Sequence, residues 1–393
     1  MNRFFLLLLI CIPWIIQSDE PKRPTVCLNM IVKNETKVIK RCLESVKPFI
    51  DTWVIVDTGS TDGTQRLIKK IMKGVPGKLY ERPWVNFAYN RNEALSLAKD
   101  KADYILFIDA DDLLTYAESF KKPHLDKDAY YLKIQYGNIA YNRIQLVKSR
   151  LDWMWMGVVH EALVSPRITS QETLKDVTMV IMGGGDRSND PKKFLKDAAL
   201  LEKALQEEPN STRNVFYLAQ SYRDAGEIKK AIEIYERRVK MGGWDQEVFW
   251  SMYQIALLQQ SAGLSDELIS TSFTKAFQYR PSRAEPLYRL SNFYRLKENY
   301  LLGYLYAQFG LNIYRPLDSL FVESWIYDYG LLLEFSICAY WIGRFEESLL
   351  ACQQILANPN IPANVRECAE KNMRFAADKL AEKTKEQLNQ KAS

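Results

Sequence analysis

Apolar residues in the first part of the chain fall in short dense runs, each closed by a polar cluster and followed by a helical pattern. Val26 to Val32 is mostly apolar and ends in Lys33-Asn34-Glu35. Val38, Ile39, Leu43 and Val46 then recur at three- and four-residue spacing, which predicts a helix. Trp53 to Val56 is a second run, ending in Asp57-Thr58-Gly59-Ser60-Thr61-Asp62-Gly63-Thr64 and leading to a helical stretch over Leu67 to Ile71. A weaker strand, Lys78 to Glu81, precedes a helix over roughly Arg91 to Lys99. Tyr104 to Ile108 is a further run, ending in Asp109-Ala110-Asp111-Asp112. Strands alternating with helices predict a mostly parallel sheet covered on both faces. Ligands of such sheets bind beyond the carboxyl ends of the strands. The pattern therefore gathers Asn34, Glu35, Asp57 and Asp109 to Asp112 at one rim.

Arg143 to Val147 reads as another strand, leading to the aromatic segment Trp153 to Glu161. Gly183-Gly184-Gly185-Asp186 reads as a hinge or turn. Beyond it the chain turns to helix formers. Tyr217-Leu218-Ala219, Ala225-Gly226 and Ala231-Ile232 resemble a tetratricopeptide unit of two packed helices. Tyr217 and Tyr253 lie 36 residues apart, and Tyr253 and Tyr288 lie 35 apart, close to that repeat's period of about 34. Tyr340, Gly343 and Phe345 mark a later, degenerate pair, and Pro362 to Gln390 a closing helix with a polar tail. The repeat aromatics are read as interhelix core, and the repeats as a concave surface for a peptide, a glycan or a second subunit, the last giving a homodimer. The domains predicted are 24–182 and 190–393, after an N-terminal segment 1–18.

That segment begins with Arg3 and an apolar run from Phe4 to Ile16. It reads as a secretory signal peptide or short anchor, too short for a membrane span. This points to the endoplasmic reticulum or Golgi lumen, or to secretion. A cytoplasmic or membrane-anchored setting is the alternative, because Asn34-Glu35-Thr36 is a glycosylation sequon inside the proposed site; Asn210-Ser211-Thr212 is a second sequon. The 393 residues are 47% hydrophobic and 26% charged, an ordinary globular balance. A net charge of +5 without a Lys/Arg run of five or more gives no nucleic-acid signature. Cysteines 11, 27, 42, 338, 352 and 368 form no CxxC pair, which argues against a zinc site and leaves Cys27 and Cys42 as core residues.

The rim residues suit a nucleotide-sugar. A carboxylate at a strand end, Asp57, can accept hydrogen bonds from a uracil imide or ribose. The loop after it turns into a helix, with Ser60 or Thr61 as the expected N-cap. Asp109-Ala110-Asp111 is a DxD unit, and Mg²⁺ or Mn²⁺ prefers such carboxylate and phosphate oxygens. A cation there would offset the repulsion of clustered carboxylates and stabilise a leaving nucleoside diphosphate. Asp109 could instead reach ribose while Asp111 takes the metal. Arg91 can neutralise phosphate or pack on the base, or simply open a helix at the surface. His160 and Glu161 can supply a general base or a metal ligand. The other histidine, His124, lies in a charged loop.

These motifs, in this order over residues 24 to 165, resemble the family 2 glycosyltransferases. The carriers are Ile31-Val32-Lys33-Asn34-Glu35, Val56 to Thr64, Asn90-Arg91-Asn92-Glu93-Ala94 and Leu106 to Asp112. The resemblance implies an α/β GT-A domain, Rossmann-like with a mostly parallel sheet, followed here by an all-α tetratricopeptide-like repeat domain. It implies a UDP- or related nucleotide-sugar donor, Mn²⁺ or Mg²⁺, and inversion at the anomeric carbon. It places Asp57 on the base, Lys33, Asn34 and Glu35 along the nucleotide-sugar pocket, and Arg91 on the nucleotide. Asp109 falls on ribose or metal and Asp111 on metal. Trp155-x-Gly157-x-x-His160-Glu161 looks like a subgroup that joins this domain to helical repeats, which implies an active-site role for His160 and Glu161. The acidic motif that commonly carries the base in inverting members is not found. The acceptor implied is a protein, peptide or glycan selected by the repeats. The competing readings are an inactive scaffold with binding repeats, which the intact Asp57, Arg91, Asp109 and Asp111 oppose, and a nucleotidyltransferase, which wants a Gly-rich basic loop after the first strand.

Overall fold

A computed structural model describes residues 23–137 and 139–392. The segment read as a signal peptide or anchor lies outside them. Among the described residues no helix is long and apolar enough to cross a membrane. The chain forms two compact units that divide between Asp190 and Pro191.

In the first unit β1 (Val26–Val32), β2 (Thr52–Asp57), β3 (Gly77–Glu81) and β4 (Tyr104–Phe107) pair in parallel in the order β3-β2-β1-β4. Helices α1 (Ile39–Val46), α2 (Thr64–Ile71) and α3 (Phe87–Ala98) connect them. Both faces of β1 are buried, which is why it reads as a continuous apolar run. Leu28, Met30 and Val32 join one core with Ile39, Leu43 and Val46 of α1. Cys27 faces the other core, with Val54 of β2 and Leu95 and Ala98 of α3.

The sheet continues through elements that the apolar pattern did not mark. These are β5 (Leu113–Tyr116), β6 (Ala129–Tyr136), the full length of β7 (Ile139–Lys148) and β10 (Gln171–Val180), in the order β4-β7-β6-β10-β5. The whole is a mixed sheet: β7 runs antiparallel to β4 and β6, β10 is parallel to β6, and β5 is antiparallel to β10. Two consequences follow for the rim. The first half of β7, with Arg143, lies at the carboxyl end of β4, and β10 delivers the 182–186 segment to the same edge. A small hairpin, β8 (Met154–Met156) and β9 (Ala162–Val164), completes the unit.

The second unit consists of α-hairpins: α5 (Thr212–Asp224) with α6 (Ile228–Met241), α7 (Asp245–Ser261) with α8 (Asp266–Tyr279), α9 (Glu285–Leu296) with α10 (Tyr300–Gly310), and α11 (Leu331–Trp341) with α12 (Phe345–Ala357). They lie between α4 (Lys193–Glu207) and the closing helix α13 (Ala363–Ala392). The first helix of each hairpin ends in a left-handed residue, Gly226, Gly263, Glu298 or Gly343. Glu298 is the costly one, since a Cβ disfavours that conformation. Tyr253, Tyr235 and Phe273 are fully buried, as repeat-core aromatics should be, whereas Tyr217 is only half-buried beneath Arg213. A long connection follows α10. Its Asp318 pairs with Arg280 and Arg283, and fully buried Arg283 also pairs with Glu285.

Candidate active site

Asp57 ends β2 and is 1% exposed. Oδ1 accepts from the backbone N–H of Gly59 at 2.9 Å and of Ser60 at 2.7 Å, so it shapes its own turn. Oδ2 is buried and has no partner, a polar orphan of the kind that a ligand satisfies. The expected N-cap at Ser60 or Thr61 is not formed. Gly63, at φ 95°, holds the N-cap position of α2, and the Asp62 carboxylate accepts from Thr64 N (3.0 Å) and Oγ1 (2.6 Å) instead. Ser60 is used across the rim: its hydroxyl accepts from Asn34 N at 2.8 Å, and Asn34 Oδ1 accepts from Thr61 N at 2.9 Å. Asn34, left-handed at φ 57°, is thus a brace between the ends of β1 and β2. Lys33 is exposed beside it.

Asp109 and Glu161 converge on one cation. Arg91 Nη2 lies 2.6 Å from Asp109 Oδ1, and Arg91 Nε lies 3.3 Å from Glu161 Oε2. The Arg91 guanidinium also sits 5.0 Å from the Trp155 ring centroid. Desolvation at the crowded rim would push the part-exposed Asp109 carboxyl up, but Arg91 outweighs it and holds the group below its ordinary range. For Glu161 burial wins over Arg91, and its carboxyl is raised. Arg91, read from sequence as a nucleotide contact, is therefore engaged by two protein carboxylates.

Asp111 and its neighbours are held by a segment read from sequence as a hinge. Gly183 and Gly184 adopt left-handed backbones at φ 65° and 92°, and Gly185 N donates to Asp111 Oδ2 at 3.2 Å. A Cβ on Gly185 would stand 3.0 Å from Asp111 Oδ2 and 3.1 Å from Glu35 Oε2, so only glycine fits without displacement. Arg41 of α1, absent from the sequence expectations, donates to the backbone oxygens of Asp111 (2.8 Å) and Gly183. Burial, then the charge of Asp111, raises the Glu35 carboxyl to about 7. Burial, then Asp109 and Asp111, raises Asp112 to about 7. Arg91 and Arg41 flank the rim, yet Glu35 and Asp112 stay raised, so the carboxylates there are not fully compensated by these arginines.

Beyond Asp109, on the side away from Asp57, opens a cavity of about 460 Å³. Its walls include Phe107, Asp109, Arg143, Trp155, His160 and Glu161. His160 is exposed on a left-handed backbone at φ 52°, and the Glu161 side chain is 11% exposed. A larger concavity, about 690 Å³, lies at the opposite end of β1 and β4 around Thr25 and Asp103, away from these groups. Among the described residues no three His, Cys, Asp or Glu side chains form a metal cage. Asp111 and Asp109 offer hard oxygens that fit Mn²⁺ or Mg²⁺ only as part of a shell completed by other oxygens, such as those of a diphosphate.

Residues 27–154 match the family described as Glycosyl transferase family 2. A TPR repeat-containing protein of Synechococcus elongatus is 27% identical over 281 residues, which cover 67% of this chain and 66% of that protein. The SPbeta prophage-derived glycosyltransferase SunS of Bacillus subtilis is 43% identical over 96 residues, 24% of this chain and 22% of the relative. An uncharacterized glycosyltransferase of Rickettsia felis is 35% identical over 86 residues, 22% of this chain and 28% of the relative. The match thus spans just under two thirds of the first relative and between a fifth and a third of the other two.

Proposed function

We propose that this chain, in which a family 2 glycosyltransferase domain precedes a tetratricopeptide-like helical repeat domain, is a metal-dependent glycosyltransferase. It moves a sugar from a nucleotide-sugar, a UDP-sugar in the first instance, to a protein, peptide or glycan acceptor. The observation that carries this reading is the placement of Asp57 at the end of β2 and of the Asp109–Asp111 pair just beyond the end of β4, the two strands that flank β1. Strand spacing puts those ends about 10 Å apart, the reach from a nucleobase to its diphosphate.

Each residue then has a task. Asp57 Oδ2 accepts from the base, while Oδ1 keeps the turn that aims it. Asp111 and Asp109 would hold Mn²⁺ or Mg²⁺, which when bound neutralises the charge that develops on the leaving diphosphate. Arg91 keeps Asp109 ionised and fixes Glu161. Glu161, with a raised pKa and a place in the cavity wall, takes the proton from the acceptor nucleophile. A single base acting across the cavity suits a direct displacement with inversion. His160 stands at the cavity mouth, and the repeats supply the acceptor-selecting surface.

Calorimetric titration of the full chain with UDP and GDP, with and without Mn²⁺, tests this reading. Saturable binding of one of them that needs the cation is expected. No binding of either under both conditions contradicts it.

A further inference from the structure

We propose that the indole N–H of Trp155 is the donor that recognises a hydroxyl of the transferred sugar, which makes Trp155 a specificity determinant of this site; this rests on the glycosyltransferase reading above. Trp155 is 9% exposed, and its Nε1 is buried without a hydrogen-bond partner. The other two buried tryptophans of the first unit are satisfied: Trp153 Nε1 donates to Lys148 O at 3.0 Å, and Trp53 Nε1 to Val75 O at 2.9 Å. Buried donors are nearly always paired, and one left over marks a missing partner. Trp155 is the one of the three that lines the cavity beside Asp109 and Glu161, which makes a group bound there the candidate for the missing partner.

The ring is fixed in advance. Asn92 of α3 grips the Trp155 backbone from both sides, Nδ2 donating to its carbonyl at 2.8 Å and Oδ1 accepting from its N–H at 2.8 Å. Phe107 meets the ring edge-on with centroids 5.1 Å apart, and Arg91 covers it. A donor held this firmly discriminates by geometry, because an analogue without the matching oxygen leaves it unpaired. The order of groups along the rim identifies the ligand part. Asp57 lies on one side of the DxD turn and the cavity on the other, so a donor with its base at Asp57 and its diphosphate at Asp111 extends its sugar into the cavity. An N–H is a donor only, so the group it reads is an oxygen acceptor, here a sugar hydroxyl.

The test uses the full chain and Trp155→Phe, which keeps an aromatic ring under Arg91 and against Phe107 but deletes the N–H. Affinities are measured by calorimetry with Mn²⁺ for UDP and GDP and for UDP-glucose, UDP-galactose, UDP-N-acetylglucosamine and GDP-mannose. The substitution is expected to weaken binding of the preferred nucleotide-sugar about tenfold and to leave the bare nucleoside diphosphate unchanged. One deoxy analogue of that sugar should bind the wild type and Trp155→Phe equally. Unchanged affinity for the sugar-nucleotide, or an equal loss for sugar-nucleotide and nucleoside diphosphate, overturns the assignment while leaving the enzyme reading in place. Failure of the wild type to bind any of these donors removes both.

Discussion

Arg91 Nη2 stands 2.6 Å from Asp109 Oδ1, so the first carboxylate of the DxD turn is already held by a cation from α3. The same guanidinium reaches Glu161 at 3.3 Å. One side chain therefore couples the group that faces the metal to the group assigned as base. Arg91→Met deletes the charge and keeps much of the volume. It is expected to lower kcat by about 100-fold. Because the Asp109 side chain is 43% exposed, the accompanying loss of stability is moderate, about 2 kcal/mol. Steady-state kinetics beside a denaturant titration reads both.

Asp57 divides its work between two oxygens, and the amide of Asn separates them. Asp57→Asn retains an oxygen that can accept from Gly59 and Ser60 but places an NH₂ where the free Oδ2 stood. Nucleotide affinity should fall about tenfold or more, with a melting temperature near that of the wild type. Asp57→Ala should lose both, because the turn loses its acceptor.

Glu35 and Asp112 make stability depend on pH in an unusual direction. Each carboxyl is raised to about 7 in the folded chain, above its unfolded value of about 4. The folded state therefore binds these protons more tightly, and the stability they contribute below about pH 4 is lost as pH rises towards 7. The depressed Asp62 carboxyl, at about 2, acts only below pH 4. The metal-free chain should melt at a lower temperature at pH 8 than at pH 5. Mn²⁺ should restore stability at pH 8, and Asp112→Asn should flatten the pH profile. A melting temperature that rises from pH 5 to pH 8 without metal contradicts the carboxylate cluster.

Gly185 has an ordinary backbone at φ −61°, so its need to be glycine is one of space. Gly185→Ala would press a methyl against Asp111 and Glu35. Mn²⁺ affinity, read by calorimetry, is expected to fall about tenfold with little change in melting temperature. Equal affinity in the variant contradicts the role of this segment in positioning Asp111.

The sequence showed β1, β2 and β4 because strands buried on both faces are unbroken apolar runs, and it showed the hairpin repeats because Tyr217, Tyr253 and Tyr288 recur at the repeat spacing. It hid β6 and β10. Their alternation is interrupted where the register shifts, at Tyr130/Tyr131 and at Leu174/Thr178, and the partners of β10, β5 and β6, are distant in sequence. The start of α3 was placed a turn late at Arg91. Asn86, whose side chain accepts from Tyr89 N at 2.8 Å, is the N-cap that marks it. Asp57, Asp109, Asp111 and Glu161 were legible as carboxylates at strand or segment ends. The grip of Arg41 and Gly185 on Asp111 was not, because it joins residues some seventy positions apart.

The central claim is that the Asp109–Asp111 rim activates a nucleotide-sugar. Hydrolysis of a panel of nucleotide-sugars by the purified chain, with divalent cation, with EDTA and beside Asp111→Ala, tests it most directly. The account predicts slow turnover of one donor that disappears with EDTA and with the substitution. Turnover that survives both, or no turnover and no donor binding with any divalent cation, would contradict it.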